Sequence, residues 1–163
     1  MSSDKLHFET LQIHGGYHVD QSQARGIAIH PTAAYHFPSC DYAANLFTLS
    51  EPGYIYTRLH NPTTAAYEER IAALYGGVGA LATSSGMSAI LLTVTSLAKQ
   101  GDNIVTSPYL YGGTHNQFVI SLRNLGIDCR MATSDNAQDM AGLIDDKTRA
   151  IFVESMGNPT CRV

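Results

Sequence analysis

The residues best suited to chemistry in this sequence lie in four short segments. Ser84-Ser85-Gly86-Met87 falls between a short apolar run and a helical apolar pattern. The backbone N–H groups of Gly86 and Met87 are therefore expected at a helix start, without intrahelical acceptors and at the positive end of the dipole. Such donors suit a phosphate, and glycine permits close approach; a serine N-cap without any ligand accounts for the same residues. Tyr56-Thr57-Arg58 lies between the breakers Pro52-Gly53 and Asn61-Pro62, and the spacing predicts an extended segment with residues i and i+2 on one side. The Tyr56 hydroxyl and the planar fork of Arg58 would then face one anion. A surface tyrosine beside a solvated arginine is the plainer alternative.

Tyr111-Gly112-Gly113-Thr114 follows a predicted strand, where the Tyr111 ring could stack on a flat ligand or simply close a turn. Glu154 and Asn158-Pro159-Thr160 follow another, placing a carboxylate and an amide at the same rim; an Asn-Pro turn explains the amide without a function.

Other motifs fail on context. Gly77-Val78-Gly79-Ala80-Leu81-Ala82 fits a dinucleotide fingerprint, but a helix precedes it and a strand is expected after it, the reverse of what that site needs. Thr83 and Met87 stand where a nucleophile elbow around Ser85 requires glycines. His14 and His18 are separated by Gly15-Gly16, which breaks a shared helical face for a metal. Cys40, Cys129 and Cys161 form no Cys-x-x-Cys pair, so neither a disulfide framework nor a zinc site is expected.

The elements that must position these residues alternate. Residues 1–60 hold breakers, aromatics and six of the seven histidines without sustained periodicity, and are expected to form an extended N-terminal arm. A helix is expected after Asn61-Pro62, capped by Thr63 or Thr64, with Tyr67, Ile71 and Leu74 on one face, ending at Gly76-Gly77. Strands are expected at Ala80 to Thr83, Asn103 to Thr106, Ile127 to Thr133 and Ala150 to Val153. Between them, helices carry Met87, Ile90, Leu91, Val94, Leu97 and Ala98, then Phe118, Val119, Leu122 and Leu125, then Met140, Leu143 and Ile144 behind a Ser134/Asp135 cap. The order βαβαβαβ predicts an α/β fold, a mostly parallel sheet with crossover helices, in residues 61–163. Ligands of such sheets bind beyond the carboxyl ends of the strands, where all but one of the four segments fall.

Composition narrows the classes. An apolar content of 44% supports a core, while 15% charged residues leave a surface poor in charge and imply burial against another surface. A net charge of -4 with no basic stripe argues against nucleic acid. No apolar run approaches the ~20 residues of a membrane span, and a reducing cytoplasm is expected.

Taken in order, Tyr56-x-Arg58 with Asn61-Pro62-Thr63, Ser84-Ser85-Gly86-Met87, Leu110-Tyr111-Gly112-Gly113-Thr114, and Glu154 with Asn158-Pro159-Thr160 resemble the Cys/Met-metabolism family of pyridoxal-phosphate (PLP) enzymes. Phe8-Glu9-Thr10, His14-Gly15-Gly16 and Ala43-Ala44-Asn45-Leu46-Phe47 are most similar to its O-acetylhomoserine sulfhydrylase branch. The resemblance implies the N-terminal part of a fold-type I PLP-transferase large domain. It also implies γ-replacement on O-acetylhomoserine by sulfide or methanethiol, in the methionine-biosynthesis and trans-sulfuration context. It places Ser85, Gly86 and Met87 at the cofactor phosphate, Tyr111 on the pyridine ring as the catalytic residue, and Asn158 at the ring's phenolic oxygen. Glu154 would stand behind them. Tyr56 and Arg58 would serve the neighbouring subunit's phosphate in a homotetramer built as a dimer of dimers.

The family's Schiff-base lysine, its ring-nitrogen aspartate and its carboxylate-binding arginine all fall after Asn158-Pro159-Thr160. Lys5, Lys99 and Lys147 do not stand in their place. The 163 residues alone are therefore expected to be inactive, as the first part of such an enzyme. Methionine γ-lyase, a cystathionine γ-synthase or lyase, and a noncatalytic assembly partner are the other readings.

Overall fold

A computed structural model describes residues 6–163, so Lys5 and the first four residues lie outside it. The chain divides into two compact units at Ala82/Thr83.

In the first unit the segment expected as an extended arm carries two helices, α1 (Phe8–His14) and α2 (Cys40–Phe47). It also contributes the loops that pack on α3 (Pro62–Tyr75). The α3 cap is Asn61 rather than Thr63 or Thr64. Its Oδ1 accepts the Thr63 N–H at 2.9 Å, with Pro62 in the first turn, where its missing N–H costs nothing. The Thr63 hydroxyl instead joins the preceding loop, accepting from His30 N and donating to Ala28 O. The buried face of α3 is Ala65 and Ala66, and Tyr67 is exposed. Small residues win there because the backbone of the α1 exit packs directly on the helix. A Cβ on Gly16, whose φ is +66°, would stand 2.2 Å from Ala66 O. Arg70 Nε donates to Gly15 O at 2.7 Å.

The second unit opens with α4 (Gly86–Leu97), followed by β1 (Asn103–Thr106). Helix α5 (Gly112–Asn116) continues into a π-helical stretch, Gln117–Leu122, and β2 (Asp128–Met131), α6 (Ala137–Ala141) and β3 (Thr148–Phe152) complete it. The sheet has three strands in the order β2-β1-β3, both pairings parallel. Central β1 is buried throughout, the pattern of a strand covered on both faces. Val94, Ala98, Ile104, Leu110, Phe118, Leu122 and Ile127 form the core, closed by an edge-to-face contact of Phe118 with Phe152 at 5.0 Å. Leu97 and Leu125, expected inside, are more than half exposed.

Three expected strands form and the fourth does not. Residues 80–83 are irregular, and the Ala82 N–H donates to Glu68 Oε1 at 2.7 Å instead of to a strand. A strand needs a neighbour's ladder, and among the described residues none pairs with it. The α6 cap is Asn136, whose Oδ1 accepts from Gln138 N, while the Ser134 hydroxyl is spent on Asp139.

At the amino ends of the strands two carboxylates are locked in place. Asp145 accepts from Asn103 Nδ2 at 2.8 Å and pairs with Arg130 at 2.8 Å; the Asn103 bond first, then Arg130, hold its carboxyl well below the usual range. Asp102 pairs with Arg149 at 3.0 Å and is likewise lowered, chiefly by that hydrogen bond. A carboxylate whose folded value is depressed contributes stability above the unfolded value of about 4 and loses it as pH falls. We expect the urea midpoint to hold from about pH 7 to about pH 5 and to drop toward about pH 3. Asp145→Asn should show a shallower drop; a midpoint unchanged by acid would refute the assignment.

Candidate functional site

Because β3 runs parallel beside β1, the segments that leave Thr106 and Phe152 emerge from one edge of the sheet. Their first link is Ser107 N–H to Phe152 O at 3.3 Å. The two loops are then tied by side chains. Both oxygens of Glu154 accept the Tyr111 N–H, at 3.0 and 3.1 Å. Arg162 donates to the Tyr109 hydroxyl at 2.7 Å and lies 4.8 Å from the centroid of its ring. Gly157 is buried between them, where a Cβ would come within 3.0 Å of Tyr109 Cβ.

Helix α4 begins at the same rim. Ser85 is its N-cap: the hydroxyl accepts from Ser88 N at 3.1 Å and donates to Ser88 Oγ at 3.0 Å. That side chain shapes the turn at the start of the helix. The N–H groups of Gly86 and Met87 have no protein acceptor among the described residues, and a Cβ on Gly86 would meet nothing within 4 Å. Two outward donors at a positive helix end, over an open backbone, make a cradle for an anion.

Gly113 brings Tyr111 to this cradle. A Cβ there would lie 2.6 Å from Tyr111 Cε1 and 3.3 Å from Met87 Sδ, so the tyrosine ring and the start of α4 adjoin over the glycine. The ring remains 53% exposed, leaving surface for a flat ligand. Asn158 is exposed in the loop after β3, and its side chain makes no hydrogen bond to the others. Of the expected residues, the structure thus joins Gly86, Met87, Tyr111 and Glu154. Gly113 escaped the sequence reading because only the ring lying over it shows that a side chain there would displace Tyr111.

Tyr56 and Arg58 belong to the first unit and are not extended as expected. Tyr56 forms an antiparallel bridge with Ala34, after which its carbonyl accepts from Leu59 and His60 N–H in a turn. The turn is pinned through Thr57, whose N–H donates to Ala33 O at 2.9 Å and whose hydroxyl donates to Thr32 O. Buried Asn61 donates to Thr57 Oγ1 and His30 O, both at 3.0 Å. The turn still sets both side chains together, with the Arg58 guanidinium 5.6 Å from the Tyr56 ring centroid. Both are exposed and line a groove with His30 to Ala33.

Among the described residues no lysine stands at the rim. Lys99 precedes β1 and Lys147 precedes β3, which puts them at the opposite edge of the sheet, about 13 Å of strand away. Burial, with Asp128 second, pushes the Cys129 thiol up to about 11, away from the thiolate form that a nucleophile needs. Among the described residues no group of histidine, cysteine and acidic side chains could hold a metal, and no helix is long and apolar enough to cross a membrane.

The chain is similar to known proteins in sequence and in fold. The Cys/Met metabolism PLP-dependent enzyme family matches residues 9–163. The chain is 49% identical over 164 residues to the homocysteine synthase of Schizosaccharomyces pombe, covering 100% of this chain and 38% of that protein. It is also 49% identical over 160 residues to O-acetyl-L-homoserine sulfhydrylase 1 of Thermus thermophilus, covering 97% and 38%. In fold it is similar to a putative O-acetylhomoserine (thiol)-lyase from Campylobacter jejuni, solved with N'-pyridoxyl-lysine-5'-monophosphate. That match has a TM-score of 0.91 and 37% identity, over 98% of this chain and 39% of the other. A cystathionine gamma-lyase from Lactobacillus plantarum gives a TM-score of 0.83 and 30% identity, over 97% and 39%. The chain therefore spans about two-fifths of the length of these relatives.

The packing at Gly113 gives a test. In Gly113→Ala the new methyl forces the exposed Tyr111 ring aside, a movement the ring can make cheaply, so stability should change by less than about 1.5 kcal/mol. The Tyr111 ring resonances should shift while those of Phe118 stay. Unmoved Tyr111 resonances would show that the glycine does not set the ring.

Proposed function

Because the chain belongs to the Cys/Met metabolism PLP-dependent enzyme family, we propose that it is the N-terminal part of an O-acetylhomoserine sulfhydrylase. The net reaction breaks the Cγ–O bond of O-acetylhomoserine, releases acetate and forms a Cγ–S bond to sulfide or methanethiol, giving homocysteine or methionine. The observation that carries the substrate is the 49% identity to a homocysteine synthase and an O-acetyl-L-homoserine sulfhydrylase; among the solved structures the O-acetylhomoserine (thiol)-lyase stands at 37% and the cystathionine gamma-lyase at 30%.

The residues fit the cofactor on their own geometry: an open glycine, two unclaimed N–H donors and an adjoining half-exposed tyrosine. PLP, when bound, supplies an electron sink for negative charge at the substrate carbons. In this reading Gly86 and Met87 hold its phosphate by N–H bonds and Ser85 keeps their turn in shape. The Tyr111 ring stacks on the pyridine, with its Oη moving a proton at the reacting carbons or the leaving group, and Asn158 donates to the phenolic oxygen. Glu154 holds the backbone that carries Tyr111. Tyr56 and Arg58 supply a hydroxyl and a guanidinium to the phosphate held by a neighbouring copy, in a cytoplasmic homo-oligomer. The lysine that would bond the cofactor is not among these residues.

The complete protein decides the substrate: acetate and homocysteine should form from O-acetylhomoserine and sulfide. Release of methanethiol from methionine, or turnover of cystathionine in its place, would move the protein to the lyase or cystathionine branch. For the cradle, Gly86→Val should weaken PLP binding at least tenfold, since a branched side chain fills the approach while folding is untouched. A polypeptide of these 163 residues, treated with PLP and borohydride, should carry no more reduced cofactor at exposed Lys99 or Lys147 in its peptide map than the urea-unfolded polypeptide does.

A further inference from the structure

Gln117 is a polar residue set beside fully buried Phe118, and it opens the π-helical stretch Gln117–Leu122. Wide turns of this kind recur at functional sites, where the altered register redirects a side chain. Here Gln117 Nε2 reaches from its own helix to the first turn of α4 and donates to the Met87 carbonyl at 3.1 Å. Among the described residues its Oε1 is buried without a partner. The orientation of the amide is dictated by this contact, because turning it over would set one oxygen against another.

A buried acceptor with no donor opposes folding, so stability gives no reason for an amide at this position. An apolar side chain of the same size would leave no acceptor unpaired there. What the amide does accomplish is to tie the peptide that follows Met87, adjoining the N–H groups of Gly86 and Met87, to a rigid neighbouring helix. We propose that Gln117 is a positioning residue for the phosphate-binding turn, fixing the direction of those two N–H donors through the Met87 carbonyl while opposing local stability. The inference rests on the cofactor reading above and adds a residue to it.

The test titrates pyridoxal 5'-phosphate and phosphate-free pyridoxal into the complete protein freed of cofactor and into its Gln117→Leu variant, with urea midpoints measured alongside. The dissociation constant for the phosphorylated compound should rise about fivefold, the factor of one hydrogen bond. That for pyridoxal should not change, and the midpoint should stay or rise. Gln117→Met, unbranched and without a donor, should behave alike and decides the matter if the leucine variant does not fold. Equal weakening of both ligands, unchanged affinity for the phosphorylated one, or unfolding of both variants would overturn the proposal. If the unmodified complete protein takes up neither compound, the cofactor reading fails by itself. The clamp is then judged on the amide resonances of Gly86 and Met87, which must move in Gln117→Leu for it to stand.

Discussion

Parallel pairing of β1 with both neighbours is the constraint on which the second unit depends. Parallel strands point their carboxyl ends the same way, so every segment leaving them is delivered to one edge. Burial enforces that alignment: Ile104 and Val105 are fully buried, and a one-residue slip would turn β1 against the wrong helical layer. The cradle at α4, the Tyr111 loop and the Glu154 loop meet because the core allows β1 no other register.

The two edges of the sheet then serve different ends. At the amino edge, Asn103, Asp145, Arg130, Asp102 and Arg149 satisfy one another in closed pairs, which fixes structure and leaves little for a ligand. At the carboxyl edge, polar groups are left open: the N–H groups at the start of α4, the Tyr111 ring and the exposed Asn158. Backbone donors that fold stability does not consume are available for binding. Gln117 follows the same division, since its amide spends one bond on the cradle and leaves an acceptor unpaired among the described residues.

Much of the layout was legible in the residues. Periodicity located β1, β2, β3 and the helices between them, because each buries a regular apolar face. It failed at residues 80–83, whose composition suits a strand but which find no ladder among the described residues. Caps were misplaced by one to three positions, at Thr63 or Thr64 for Asn61 and at Ser134/Asp135 for Asn136, because several adjacent side chains can cap and tertiary bonds decide which are free. Tyr56 and Arg58 do share a side, by a turn pinned on Asn61 and Thr57 rather than by an extended chain.

By itself the sequence determined the α/β class, the family and the chemical types at the rim, since these depend on local spacing and on residues that few other chemistries require together. Only the tertiary structure decided how they meet. Gly113 matters because the Tyr111 ring lies over it, Glu154 because both its oxygens turn to the Tyr111 N–H, and Ser85 because its hydroxyl is engaged with Ser88. Gln117 matters because its amide crosses to another helix. Each is a contact between residues distant in sequence or a competition for one hydrogen bond, and neither leaves a periodic trace in the chain.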